Sequence, residues 1–211
     1  MSKYKTHLQS REFVISTIVA FGLLLVSLVI NFYAGAYATE KASNAVTDVV
    51  LSNIRVYDVD GFFVYGALLF WVFIAWLLIR EPNRIPFTLK AIALFTLIRS
   101  LFISLTHMGP FPERLEVNSN FMGKFTSGGD LFFSGHTGLP FLMALVFWNT
   151  KPLRYLFIAS SMLFGAVVLM AHLHYSIDVL SAFFITYSIY HIAEIIFRTD
   201  KLLFLYGLKR E

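Results

Sequence analysis

Three residues of this sequence, His136, His174 and Asp178, have types and spacings that suit joint chemistry. A neutral imidazole can attack an electrophile or move a proton near neutral pH. A neighbouring carboxylate can hold one ring nitrogen protonated and support the positive charge that attack creates. His174 and Asp178 stand at i and i+4, one face of one turn if a helix runs through them. His136 lies in Ser134-Gly135-His136-Thr137-Gly138, where an apolar run begins. A helix start offers N–H groups without intrahelical partners at the positive end of the dipole, so Ser134 and Gly135 mark a place where a phosphate would be stabilised. Together these residues supply an acid/base histidine, a nucleophilic histidine, an orienting carboxylate and an anion cradle. Spacing alone does not divide the two roles between the histidines.

The elements that must position them are membrane spans. Of the 211 residues 57% are hydrophobic, 17% aromatic and only 14% charged, against about 25% charged in an ordinary soluble domain. A transmembrane helix needs roughly 20 apolar residues. Six stretches come near this: 13–36, 61–79, 85–108, 131–149, 153–171 and 179–197. The expected fold is therefore all-α, a six-helix transmembrane bundle. Residues 1–211 form one integral membrane domain with short cytoplasmic tails at 1–12 and 198–211. The 37 residues between His136 and His174 make about two passes of a membrane, at ~1.5 Å per residue, which returns the chain to its starting depth. The two histidines can meet.

Lys and Arg set the direction, because cytoplasmic flanks carry the excess. Lys3, Lys5, Arg11, Arg80, Arg84, Lys90, Lys151, Arg154, Arg198, Lys201, Lys209 and Arg210 fall on one side. Lys41, Arg55, Arg114 and Lys124 fall on the other, and Arg99 lies inside a span. Both termini should be cytoplasmic, with His107, His136, His172 and His174 on the outward face. The outward segment 37–60 reads equally as a short interfacial helix or as a partly helical linker. The 17 basic residues, net charge +4, form no continuous stripe, so no nucleic-acid partner is expected. With no cysteine, disulfides and Cys-based metal sites are excluded.

The segments GGDLFFSGHTG (128–138) and AHLHYSIDVLSAFF (171–184) resemble the two signature motifs of sphingomyelin synthases and their relatives, a branch of the type 2 phosphatidic acid phosphatase superfamily. IRSLFISLT (98–106) resembles the Arg-containing motif of their third span. The resemblance implies that His174, held by Asp178, takes the head-group phosphate as a phosphohistidine, and that His136 protonates the leaving alcohol and then activates the acceptor. No cofactor and no metal are implied. The positions before His174 read MAHLHY, without the arginine of the broader superfamily, and Gly129 stands where a cysteine is usual.

Ser134, Gly135, Asp130, Arg99 and Tyr175 complete the candidate substrate- and phosphate-binding set. Asp130 has two readings, a partner for the helix dipole or a group that positions a hydroxyl or His107. Arg99 either neutralises phosphate or supports the site structurally, and His172 is a rim residue or a donor behind the site. His191 and Glu194 read as a structural pair, and Phe132 and Phe133 as an aromatic approach. The leading function is transfer of a phosphate-linked head group from a phospholipid donor to a lipid alcohol of the ceramide or diacylglycerol class. A lipid phosphatase or phospholipase C-like hydrolase would use the same residues with water as acceptor. A metal or proton transporter is the reading from another class.

Overall fold

The computed structural model describes residues 2–115 and 129–208, with side chains from Tyr4 onward. Gly128, Lys124, Lys209 and Arg210, named above, lie outside these residues. The helices are α1 (Ser2–Gln9), α2 (Arg11–Glu40), α3 (Asp60–Arg80), α4 (Ile85–Leu105), α5 (Gly135–Val146), α6 (Lys151–Met170), α7 (Ser176–Ile196) and α8 (Arg198–Tyr206). Among the described residues no strand occurs. Five helices are long and apolar enough to cross a membrane: Arg11–Glu40, Asp60–Arg80, Pro82–Leu105, Lys151–Met170 and Ser176–Ile196. The chain is a helical membrane bundle, as expected.

The fourth apolar run differs from its expected 19 residues of span. Its helix, α5, has 12 residues, ~18 Å of rise. Local chemistry explains the shortening. The Ser134 side chain accepts a hydrogen bond from the Thr137 N–H and caps the helix, so residues 131–134 stay outside it. At the far end the chain turns at 147–150 into α6, whose first turn carries Pro152. The α5–α6 hairpin is fastened by the Ser161 hydroxyl, which donates to the Thr137 carbonyl at 2.7 Å.

The Pro82–Leu105 helix is the axis of the bundle: 61% of its most apolar stretch is buried, against 17% in α2 and 28% in α3. Polar residues in a span are stable only where they face protein partners, and the axis obeys this. Lys90 donates to Asp200 Oδ2 at 2.6 Å and to the Ser16 hydroxyl at 2.8 Å, tying α4 to α8 and α2. The Asn83 side chain donates to the carbonyls of Leu203 and Phe204 and so caps the end of α8. Nearby, Glu194 pairs with His191 Nδ1 at 3.1 Å, as expected, and with Lys201 at 3.3 Å. Outward faces are apolar, with Leu25, Leu69, Phe184 and Ile195 among many exposed side chains.

Segment 37–60 resolves in favour of a linker. Helix α2 continues to Glu40, and beyond it only Leu51–Asn53 forms a 3-10 turn before α3. This linker lies across the end of the bundle that carries His174. The Ser43 N–H donates to the His107 carbonyl, the Gly109 N–H to Asn44 and the Tyr57 N–H to Met170.

Candidate active site

His136 and His174 are brought to the same end of the bundle. His136 is the second residue of α5. Its ring lies against Phe63 of α3, centroids 4.2 Å apart, and faces Phe164 of α6 at 6.3 Å. Arg99 and His174 both lie within electrostatic reach of His136 and of Asp130. One cluster therefore holds Arg99, Asp130, His136 and His174, with Arg99 and His174 buried and Asp130 and His136 half-buried.

The His174–Asp178 pair forms, but by a different route from the expected helical face. Helix α7 starts at Ser176, so His174 precedes it. Asp178, in the first turn, folds back and accepts a hydrogen bond from the Tyr175 N–H at 2.9 Å, the reciprocal half of a capping box. The same oxygen, Oδ2, lies 3.5 Å from His174 Nδ1, an ion-pair distance rather than a hydrogen bond. His174 Nδ1 and Asp178 Oδ1 make no hydrogen bond, and Asp178 is fully buried. A backbone bond stitches the two motifs together: the Ser134 N–H donates to the Asp178 carbonyl at 3.1 Å.

Arg99 is fixed on the loop that precedes α5. Its Nε donates to the Phe133 carbonyl at 2.8 Å, and one terminal nitrogen donates to the Asp130 carbonyl at 2.7 Å while lying 3.5 Å from Asp130 Oδ2. The other terminal nitrogen reaches Asn31 Oδ1 at 3.5 Å. A buried planar fork of five donors suits such a clamp. Gly135 packs on the same group: a Cβ there would meet Arg99 Nε at 3.3 Å. As first and second helical residues, Gly135 and His136 carry N–H groups without an intrahelical acceptor. The Ser134 hydroxyl itself is buried and engaged with Thr137.

Other expected residues have structural partners. The buried Tyr175 hydroxyl donates to the Gly109 carbonyl at 2.8 Å and accepts from the Val46 N–H at 3.2 Å, pinning the linker and the loop after α4. Phe133 is fully buried against Phe95 and Phe102, so it forms the floor of the site and is no approach to it. His107 is outside the cluster, its Nε2 3.0 Å from the Ser104 carbonyl. His172 is buried edge-on to Phe111, with no hydrogen-bond partner on either ring nitrogen and a left-handed φ of 54°. At Gly129 a Cβ would lie 2.6 Å from the Ala38 carbonyl oxygen, so α2 leaves no room for the cysteine usual in the resembled motif.

Sequence reasoning missed Asp48. Its carboxylate accepts from the N–H and hydroxyl of Ser176 at 2.7 and 2.8 Å and from the N–H groups of Val50 and Leu51 at 2.8 and 3.0 Å. Burial by itself would raise this carboxyl, but the donors from Leu51, Ser176 and Val50 hold it below its ordinary value of 3.8. An Asp ahead of two free N–H groups signals a local turn. Nothing in the sequence signals its partner 128 residues away.

Among the described residues no group of three or more His, Cys, Asp or Glu is arranged to hold a metal ion. No curated protein and no solved structure matches the chain. Residues 127–195 match the family model described as PAP2 superfamily C-terminal. That span contains both histidine segments, and the match supports the type 2 phosphatidic acid phosphatase superfamily, and with it an enzyme of the lipid phosphatase or phosphotransferase type.

Proposed function

We propose that this protein is a lipid phosphotransferase, moving a phosphate-linked head group from a phospholipid to a lipid alcohol through a phosphohistidine on His174. The observation that carries the reading is the Ser134 to Asp178 backbone bond, which locks the His136 segment onto the His174 segment around one cluster of charged and titratable side chains. With Nδ1–H directed at Asp178, the Nε2 lone pair of His174 attacks phosphorus. The N–P bond forms as the P–O bond to the donor's lipid alcohol breaks, and that oxygen takes its proton from His136. The acceptor hydroxyl then gives its proton to His136 and attacks phosphorus, and the N–P bond breaks to restore His174. The phosphate that enters supplies the negative charge a protonated His136 needs beside His174 and Arg99.

Two observations favour a lipid alcohol over water as acceptor. The linker and the segment 106–111 are pinned beside His174 through Asp48 and Tyr175, His174 is buried, and a phosphohistidine survives where water is scarce. Arg99 is bound to protein groups, and no arginine immediately precedes His174. A phosphodiester, with one negative charge, asks less neutralisation of such a site than a monoester dianion does. The distribution of Lys and Arg supports cytoplasmic termini and an outward-facing site.

The test is purified protein in defined bilayers with labelled donors, with and without ceramide or diacylglycerol, and products identified by mass spectrometry. New lipid that grows with acceptor is expected. Release of inorganic phosphate from phosphatidic acid, indifferent to acceptor, would establish the phosphatase reading instead.

A further inference from the structure

Between α3 and α6 a groove opens on the lipid-facing side of the bundle and encloses about 360 Å³, within the size range of ligand sites. Phe62, Gly66, Phe70 and Phe73 form one wall and Leu163 and Phe164 much of the other. From Phe62 to Phe73 the wall is ~16 Å long at 1.5 Å per residue. Its one hydroxyl, on Ser160, is turned into α6 by a hydrogen bond to the Leu156 carbonyl at 2.9 Å, so the groove offers only apolar contact. Helix α3 is loosely held, with Phe63, Ala67, Ile74, Leu77 and Leu78 its only buried residues.

The groove is continuous with the site. Phe164 lines it and faces the His136 ring at 6.3 Å, while Phe63, adjacent to the lining Phe62, stacks on the same ring at 4.2 Å. Gly66 sets its width there: a Cβ would come within 3.2 Å of the Phe164 ring. A second apolar groove, at Phe141, Phe183 and Tyr187 between α5 and α7, is lined by none of the residues that contact His136.

We infer that the α3–α6 groove receives one acyl chain of the lipid whose phosphate meets His136 and His174, so that the groove selects long-chain substrates and sets the depth at which phosphorus is presented. The inference rests on the lipid-transferase reading for the identity of that phosphate. Its occupant is fixed by continuity: a chain in the groove ends beside the His136 ring, where the polar part of the same molecule begins. Apolar area alone supplies the binding.

The experiment is photolabelling of the full chain in bilayers with a phosphatidylcholine carrying a diazirine in mid-chain, followed by peptide mapping. Labels are expected on Leu69 and Leu163 and should be displaced by excess phosphodiester lipid but not by a wax ester, which has neither the phosphate of a donor nor the hydroxyl of an acceptor or product. Ser160→Trp and, separately, Leu69→Trp fill the groove from lipid-facing positions. Each should suppress those labels and lower the preference for long-chain over short-chain donors, as a ratio of kcat/KM, by about tenfold, the worth of two buried methylenes. Labelling needs no turnover, so selective labels in a protein inactive on every donor would keep the groove and remove the transferase reading. Labels displaced equally by any lipid would mean bulk bilayer chains only. That result, or an unchanged chain-length ratio in both variants of an active enzyme, overturns the inference.

Discussion

Asp48 accepts hydrogen bonds from both the N–H and the hydroxyl of Ser176, two residues after His174. A linker residue thus fixes the first turn of the helix whose Asp178 faces His174, the proposed nucleophile. Asp48→Asn replaces one acceptor oxygen with a donor that faces other donors, and hydrogen bonds to a charged group contribute about 1.5–3 kcal/mol each. The variant should melt lower at neutral pH and turn over more slowly. Because the native carboxyl is held below 3.8, its stabilisation is fully present above about pH 4 and lost as pH falls through the lowered value. Thermal melts of both proteins in detergent should therefore converge in acid; a gap that stays constant down to pH 2 would show that the charge is not what matters.

His174→Ala should abolish turnover and an acid-labile phosphoenzyme together, with the helical content intact. His136→Ala should leave the enzyme unable to protonate the leaving alcohol, so turnover should collapse to background. Phosphopeptide mapping decides between them, since an adduct on His136 would reverse the two roles.

Asp178 has two tasks, capping Tyr175 and facing His174. Asp178→Asn should lower kcat on the order of 10⁴-fold with little change in lipid binding, as loss of an orienting carboxylate does in hydrolytic triads. In a double mutant with His174→Ala the losses should not multiply. Independent, multiplying defects would separate Asp178 from the nucleophile.

Arg99→Lys keeps the charge but loses the fork that holds Phe133 and Asp130 together. We expect destabilisation of about 3 kcal/mol and a fall in kcat, since the loop ends at the Ser134 cap and leads directly into the first turn of α5, which carries His136. A variant that melts normally and changes only KM would assign Arg99 to substrate phosphate rather than to the loop.

Topology is accessible because the chain has no cysteine. Val49 is 84% exposed in the linker at the site end. In oriented vesicles Val49→Cys should react with an impermeant thiol reagent only from the outward side. Reaction from the cytoplasmic side alone would invert the orientation drawn from Lys and Arg.

Hydrophobic run length, a one-dimensional property that the bilayer reads directly, was enough to specify the helical membrane bundle. It also determined that His136 and His174 share one end, since two helical passes return the chain to its starting depth. Charged residues inside spans, Lys90 and Arg99, were legible as needing partners but not which partners. Packing brought Lys90 to Asp200, set Arg99 on the backbone before α5, and turned Tyr175 to the linker and the loop after α4. The same holds for how His174 meets Asp178. Spacing suggested a helical face, whereas the helix begins after His174 and a capping carboxylate makes the approach. Asp48 lay in a segment without periodicity, and its effect depends on a contact 128 residues distant. Such contacts follow from how the ends of packed helices leave their N–H groups unpaired, a demand that local sequence announces but cannot address.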